Sequence, residues 1–151
     1  MADKEDTRSQ EEYDSMCSSY NSSKNEAEEK ESYVDGLKNT LKRLDEAYSS
    51  IKKYKEDLSS YKSQSVDRCY ELYNDGDYVW VGSNYDDAES QISGEVTSQF
   101  VDYIDRVDGV LDDIGRLRTE YENKILEETT ILSGLWKALN SLWDDIKNYW
   151  N

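Results

Sequence analysis

A seven-residue spacing of apolar side chains constrains the fold of this chain more than any other feature. In the first half, one apolar set recurs every seven positions, and a second set lies three positions after members of the first. The first set is Tyr13, Tyr20, Ala27, Val34, Leu41 and Tyr48, and the second is Met16, Leu37, Leu44, Ile51 and Leu58. This pattern places one narrow apolar seam along a helix and leaves the other faces in water. It predicts a first helical arm over about residues 13–73, with a seam weakened at Ser23, Lys30 and Lys55.

The second half repeats the pattern. Its seam consists of Ile104, Val107, Leu111, Ile114, Tyr121, Ile125, Leu132, Leu135, Leu139, Leu142, Ile146 and Tyr149, broken only at Arg118 and Glu128. A neighbouring row widens the apolar stripe at Tyr103, Val110, Leu117, Ile131 and Ala138. We therefore predict a second arm over about residues 86–150 that contacts more than one neighbour.

Turn-forming residues separate the two arms. Residues 74–85 are rich in Asn, Asp, Gly and Ser, and the chain contains no proline. The expected fold is therefore all-α, a long antiparallel two-helix hairpin of coiled-coil type. Trp80 and Gly82 form a Trp-x-Gly motif in this turn, where the tryptophan can cap the end of the hairpin and the glycine can permit the bend.

The domain organisation follows from these two arms. We expect residues 1–12 to form a disordered acidic tail and residues 13–151 to form one hairpin. Clusters of polar and small residues predict a hinge near residues 21–25 and 130–134, which lie at the same height of the hairpin. The principal seam residues are Leu37, Leu41, Leu44, Ile51, Leu58, Ile104, Val107, Leu111, Ile114, Tyr121 and Ile125.

Charge provides an independent indication of register. In a hairpin centred near residue 80, residues whose numbers add up to about 160 lie side by side. Residues 38–62 carry seven basic and four acidic side chains, whereas residues 98–122 carry three basic and seven acidic ones. Exposed pairs contribute only about 0.2 to 1 kcal/mol each, so we expect them to set register rather than stability.

Composition argues against several classes of function. The chain has no histidine, the commonest general base and metal ligand, so we expect no enzymatic activity, cofactor or metal. Its net charge of −16 disfavours binding to nucleic acid. The two cysteines, Cys17 and Cys69, lack metal-knuckle spacing and indicate a reduced, cytoplasmic protein. We expect neither a signal peptide nor a transmembrane helix.

The motif Trp80-Val81-Gly82 between two predicted antiparallel helices resembles the turn of WXG-type proteins of type VII secretion systems. The long heptad arms and the ending SLWDDIKNYWN look more specifically like the YwqH-like family, which is associated with LXG toxins. The resemblance covers roughly residues 30–151. It implies a non-enzymatic accessory that packs on the helical LXG domain of a toxin, supports its export and is co-exported with it. A second small helical accessory protein is a further implied partner.

Exposed aromatic and aliphatic side chains are the candidates for partner binding. They are Tyr103, Val110, Leu117, Trp136, Leu139, Trp143 and Trp150. The apolar C-terminal segment could also lie in a membrane interface, but its balanced charges favour protein packing. The alternative function is a self-associating structural coiled coil, such as a homodimer, with no toxin client.

Overall fold

The computed structural model describes residues 9–74 and 83–151. Helix α1 spans Gln10–Asn74, helix α2 spans Ser83–Ser90, and helix α3 spans Thr97–Asn148. A π-helical segment, Gln91–Val96, connects α2 to α3. No strand occurs in residues 9–74 or 83–151, so the prediction of an all-α fold is confirmed. The predicted turn residues Trp80 and Gly82, and residues 1–8 of the predicted tail, lie outside the described residues.

Helix α1 begins earlier than the seam alone suggests. Ser9 acts as its N-cap, because the Ser9 hydroxyl accepts a hydrogen bond of 3.2 Å from the backbone N–H of Glu12. This bond satisfies one of the N–H groups that a helix start leaves unpaired. Residues 10–12, which composition alone places in the disordered tail, are therefore the first turn of the helix.

The second arm is not one uniform α-helix. Its first eight residues form α2, and the π-helical turn follows before α3 begins. A π turn has a wider backbone repeat than an α turn, so it shifts the faces that the helix presents before and after it. Gly94 lies inside this turn, where its low helix propensity favours a departure from regular α geometry.

No helix break occurs at the predicted hinge. Residues 21–25 lie within α1, and residues 130–134 lie within α3. The Thr130 hydroxyl donates a hydrogen bond of 2.8 Å to the Leu126 carbonyl one turn earlier. This bond satisfies the hydroxyl without interrupting the helix. The polar and small residues that suggested a hinge are accommodated in continuous α-helix.

The described residues divide into two compact units, and each contains a segment of α1 and a segment of α3. Unit 1 combines α1 up to Lys42 with Thr119–Asn151, and unit 2 covers the described residues of Arg43–Arg118. The buried apolar side chains are Ala27, Val34, Leu37, Leu139 and Ile146 in unit 1 and Leu111 in unit 2. The other predicted seam residues are half-buried, as expected for a seam between two helices rather than a thick core.

Contacts within each unit show that the two helical segments run antiparallel. In unit 1, Tyr13 contacts Tyr149, Tyr20 contacts Trp143, and Lys30 pairs with Glu128. The residue numbers of these pairs add up to between 158 and 163, near the value of 160 expected for a hairpin centred near residue 80. In unit 2, Lys55 pairs with Asp108 and Arg118 pairs with Asp45, which both correspond to a sum of 163.

Candidate protein-binding surface

The polar interruption of the seam in unit 1 is a cross-helix ion pair. Lys30 of α1 and Glu128 of α3, which each break the heptad pattern, face one another. Their side chains are only 28% and 15% exposed, so water screens this pair less than a surface pair. A displaced register would leave one of these charges against apolar neighbours, which gives the pair a role in alignment.

Unit 2 contains two further ion pairs between α1 and α3. Lys55 pairs with Asp108, and the Arg118 Nε donates a hydrogen bond of 2.5 Å to Asp45 Oδ1. The Arg118 guanidinium also lies 5.1 Å from the centre of the Tyr48 ring, within cation–π range. In both pairs the basic residue occupies a seam position, and a carboxylate beside the opposite seam neutralises it.

One side of unit 2 carries an exposed apolar groove between α1 and α3. Tyr54 and Tyr61 of α1 form one wall, and Tyr103 and Val110 of α3 form the other. The floor consists of the seam residues Ile51, Leu58 and Val107. The tyrosines of the walls are 59% to 70% exposed although their rings border apolar side chains. Contiguous apolar surface of this kind marks protein interaction sites.

The two walls of the groove have the same spacing as the seam. Tyr54 and Tyr61 are seven residues apart, as are Tyr103 and Val110, and Leu117 continues the second row. Each of these residues immediately precedes a seam position of its helix. A helix with apolar residues at heptad spacing would therefore meet matching contacts along both walls.

Three charged side chains line the groove, and they are Lys55, Asp57 and Arg106. Asp57 lies beside the tyrosine wall on α1, and Arg106 lies beside the Tyr103 wall on α3. Both side chains are exposed, and neither belongs to the cross-helix pairs of Lys55 and Arg118. The α1 side of the groove thus carries one acidic and one basic side chain, and its basic one, Lys55, is paired with Asp108.

In unit 1, the tyrosine at the position equivalent to the groove walls has charged neighbours. Tyr33, which also precedes a seam residue, has Lys30 5.8 Å and Lys124 5.6 Å from its ring centre. A hydrogen bond with Tyr33 raises the pKa of Lys124, because the bond favours the charged ammonium. These two lysines border the Tyr33 ring, whereas the tyrosine rings of the groove in unit 2 border apolar side chains.

Aromatic residues cluster where the ends of α1 and α3 meet in unit 1. Tyr13 lies 5.8 Å, between ring centres, from both Tyr149 and Trp150, and the Tyr20 and Trp143 rings are 5.2 Å apart. Trp143 and Trp150 remain about half exposed. This aromatic cluster is a second partly exposed apolar surface.

The Tyr149 hydroxyl joins the C-terminal end of α3 to the start of α1. It accepts a hydrogen bond of 3.1 Å from the Ser9 backbone N–H and donates one of 2.6 Å to the Glu12 carboxylate. Nearby, a hydrogen bond with Cys17 raises the pKa of the Tyr13 hydroxyl. Cys17 is a free thiol. The side chain of Cys69 lies outside the described residues.

The structure divides the predicted partner-binding residues into three groups. Tyr103, Val110 and Leu117 are exposed in unit 2, and Trp143 and Trp150 are exposed in unit 1. Trp136 is half-buried. Leu139 is only 2% exposed, which corrects its assignment to a binding surface, because its seam position directs it between the helices and makes it a core residue.

Tyr54 and Tyr61 line the groove but are not among the candidate partner-binding residues predicted from the sequence. The sequence contained this signal, because Ala47, Tyr54 and Tyr61 follow a seven-residue spacing one position before the seam of α1. This row mirrors the widened stripe of α3. In an antiparallel pair, rows that precede the seam on both helices lie on the same side, so the two rows together predict a groove.

No group of three or more Cys, Asp or Glu side chains in residues 9–74 and 83–151 is arranged to hold a metal ion. Among these residues, no helix has an apolar stretch long enough to cross a lipid bilayer. Comparison with known proteins gives no match to a family model, a curated protein or a solved structure.

Proposed function

We propose that this chain is a non-enzymatic helical accessory protein that packs on the helical LXG domain of a type VII secreted toxin and supports its export. The observation that carries the proposal is the apolar groove of unit 2, with heptad-spaced Tyr54, Tyr61, Tyr103 and Val110 on its two walls. This spacing suits a helical partner better than a small molecule or an extended peptide. The groove supports helix binding, whereas the LXG domain as partner comes from the sequence resemblance.

In this proposal, the chain between Asn74 and Ser83 makes the turn of a continuous hairpin, with Trp80 and Gly82 as its Trp-x-Gly motif. The antiparallel contacts within each unit support such a connection. The accessory binds its toxin in the cytoplasm and accompanies it through the secretion system. A second small helical accessory protein could share the toxin domain.

Co-expression with the helical domain of a toxin encoded beside this chain tests the proposal. We expect the two proteins to co-purify and Val110→Asp to reduce the recovered complex at least tenfold, because a charge would enter the apolar groove. Leu126→Asp is the matched control, since Leu126 lies on the same helix, is 70% exposed and belongs to unit 1. Failure to co-purify, or equal loss in both variants, would contradict the proposal.

A further inference from the structure

We propose that residues 149–151 form a releasable strap over the start of α1, and that Glu12 completes the α1 cap whether the strap is closed or open. The strap follows Asn148, the last residue of α3. In the closed form the Tyr149 hydroxyl is part of the cap, and in the open form the Glu12 carboxylate replaces it. This device lies in unit 1 and is independent of the toxin binding proposed for the groove of unit 2.

The start of α1 has the residue spacing of a capping box. Ser9 is the N-cap, since its hydroxyl accepts the Glu12 N–H and its carbonyl accepts a hydrogen bond of 3.2 Å from the Tyr13 N–H. Glu12 stands three positions after the cap. A capping box has a glutamate at this position, and its carboxylate accepts the backbone N–H of the cap residue. The first turn of α1 therefore contains both halves of a cap that needs no other helix.

The Tyr149 hydroxyl is inserted into this capping box. It accepts a hydrogen bond of 3.1 Å from the Ser9 N–H and donates one of 2.6 Å to the Glu12 carboxylate. The Ser9 carbonyl, 3.2 Å away, is a second acceptor for the same hydroxyl. Tyr149 thus stands between two groups that bond directly to one another in an ordinary capping box. Glu12 can complete the cap through Tyr149 or without it.

The strap can separate from α1 without unwinding either helix. The Tyr149 N–H bonds to the Ile146 carbonyl at 3.3 Å, an i→i−3 bond of poorer geometry than an α-helical bond. On the α1 side, the Tyr13 ring lies 5.8 Å, between ring centres, from the rings of both Tyr149 and Trp150. Opening the strap separates these rings and one hydroxyl from α1 and leaves the backbone hydrogen bonds of α1 in place.

Glu12 makes the opening inexpensive. An N–H group left unpaired at a helix start destabilises the first turn. When Tyr149 leaves, the Glu12 carboxylate can accept the Ser9 N–H directly, so the first turn of α1 keeps its cap. The strap can therefore open and uncover the Tyr13 ring while the start of α1 stays helical.

Nuclear magnetic resonance relaxation of backbone amides in the full chain tests the inference. In the original chain, both the strap and the first turn of α1 should be rigid, with order parameters of about 0.85. Tyr149→Phe removes the hydroxyl, so the order parameters of residues 149–151 should fall below about 0.6, whereas those of residues 10–13 should not change. Tyr54→Phe is the matched control, because it removes a hydroxyl from a tyrosine of unit 2 that is 70% exposed.

The double variant tests the role of Glu12. Glu12→Ala alone should leave the first turn of α1 rigid, because the Tyr149 hydroxyl still accepts the Ser9 N–H. Glu12→Ala/Tyr149→Phe removes both ways of completing the cap, and the order parameters of residues 9–11 should fall below those of either single variant. Glu11→Ala removes the same charge from the same turn of α1 and is the matched control.

A strap that stays rigid in Tyr149→Phe would overturn the inference. Disorder in the first turn of α1 in that single variant would also overturn it, because Glu12 would then not replace the tyrosine. The same holds for a double variant whose first turn is as rigid as in the single variants. Circular dichroism verifies that every variant retains the rest of its helix content.

Discussion

At the scale of single residues, the charged side chains within the seam show how the register of the two helices is set. Lys30 and Glu128 each interrupt an apolar series, and the interruption makes sense only when the two helices are placed together. Arg118 likewise forms an ion pair with Asp45 and lies over the Tyr48 ring. Sequence reasoning could identify these residues as breaks in the pattern. It could not assign their partners, since each seam charge has several opposite charges within one turn of its expected height.

The Lys30–Glu128 pair leads to the first prediction. Replacing only Glu128 with leucine leaves Lys30 partly buried without its carboxylate, and we expect a loss of about 1 to 3 kcal/mol in the free energy of unfolding. Replacing both residues with leucine should recover the lost stability or exceed that of the original chain, because two apolar side chains pack well in the seam. Urea unfolding followed by circular dichroism measures both values. A double variant less stable than the single one would refute this account.

At the scale of the helices, the existence of α1 and α3 follows directly from the heptad rows, and their antiparallel packing follows from the charge pattern. Two features do not follow. The π-helical turn at Gln91–Val96 has no distinctive period in the sequence, and its backbone geometry depends on contacts along the helix. Helix α3 is also continuous through Gly134, because a single glycine weakens a long packed helix without interrupting it.

Gly134 supplies the second prediction. A Cβ added at this position would have no heavy atom within 4 Å, so Gly134→Ala introduces no clash. We expect it to stabilise the protein by about 0.5 to 1 kcal/mol, because alanine loses less backbone entropy than glycine on forming a helix. Gly109→Ala is the matched variant in unit 2 and has the same open surroundings. Thermal unfolding measures the change, and a lower melting temperature for Gly134→Ala would indicate that the site needs flexibility.

At the scale of the whole molecule, stability depends on narrow seams rather than on a thick core. Few apolar side chains among the described residues are buried, and Leu111 is the one in unit 2. Each seam residue should therefore contribute a large share of the free energy of unfolding. The hydrophobic content of 36% and the charged content of 34% already indicated that the chain has no thick apolar core.

Leu111 and Leu126 provide the third prediction, as matched positions on α3. Leu111 is 8% exposed, and we expect Leu111→Asp to cost about 3 kcal/mol or more, because a charge would replace a buried apolar group. Leu126 is 70% exposed, and Leu126→Asp should change stability by less than about 0.5 kcal/mol. Chemical unfolding of both variants checks the contrast. Similar losses at the two positions would contradict the assigned seam.

The aromatic cluster of unit 1 gives the molecule a built-in optical reporter. Trp136, Trp143 and Trp150 all lie in unit 1, whereas the groove of unit 2 is lined by tyrosines. In a Trp80→Phe background, light absorbed only by indole would excite unit 1 alone. The tryptophan fluorescence would then report the unfolding of unit 1 during denaturation. Far-ultraviolet ellipticity would report the loss of helix in both units. A difference between the two unfolding curves would show that the units melt independently.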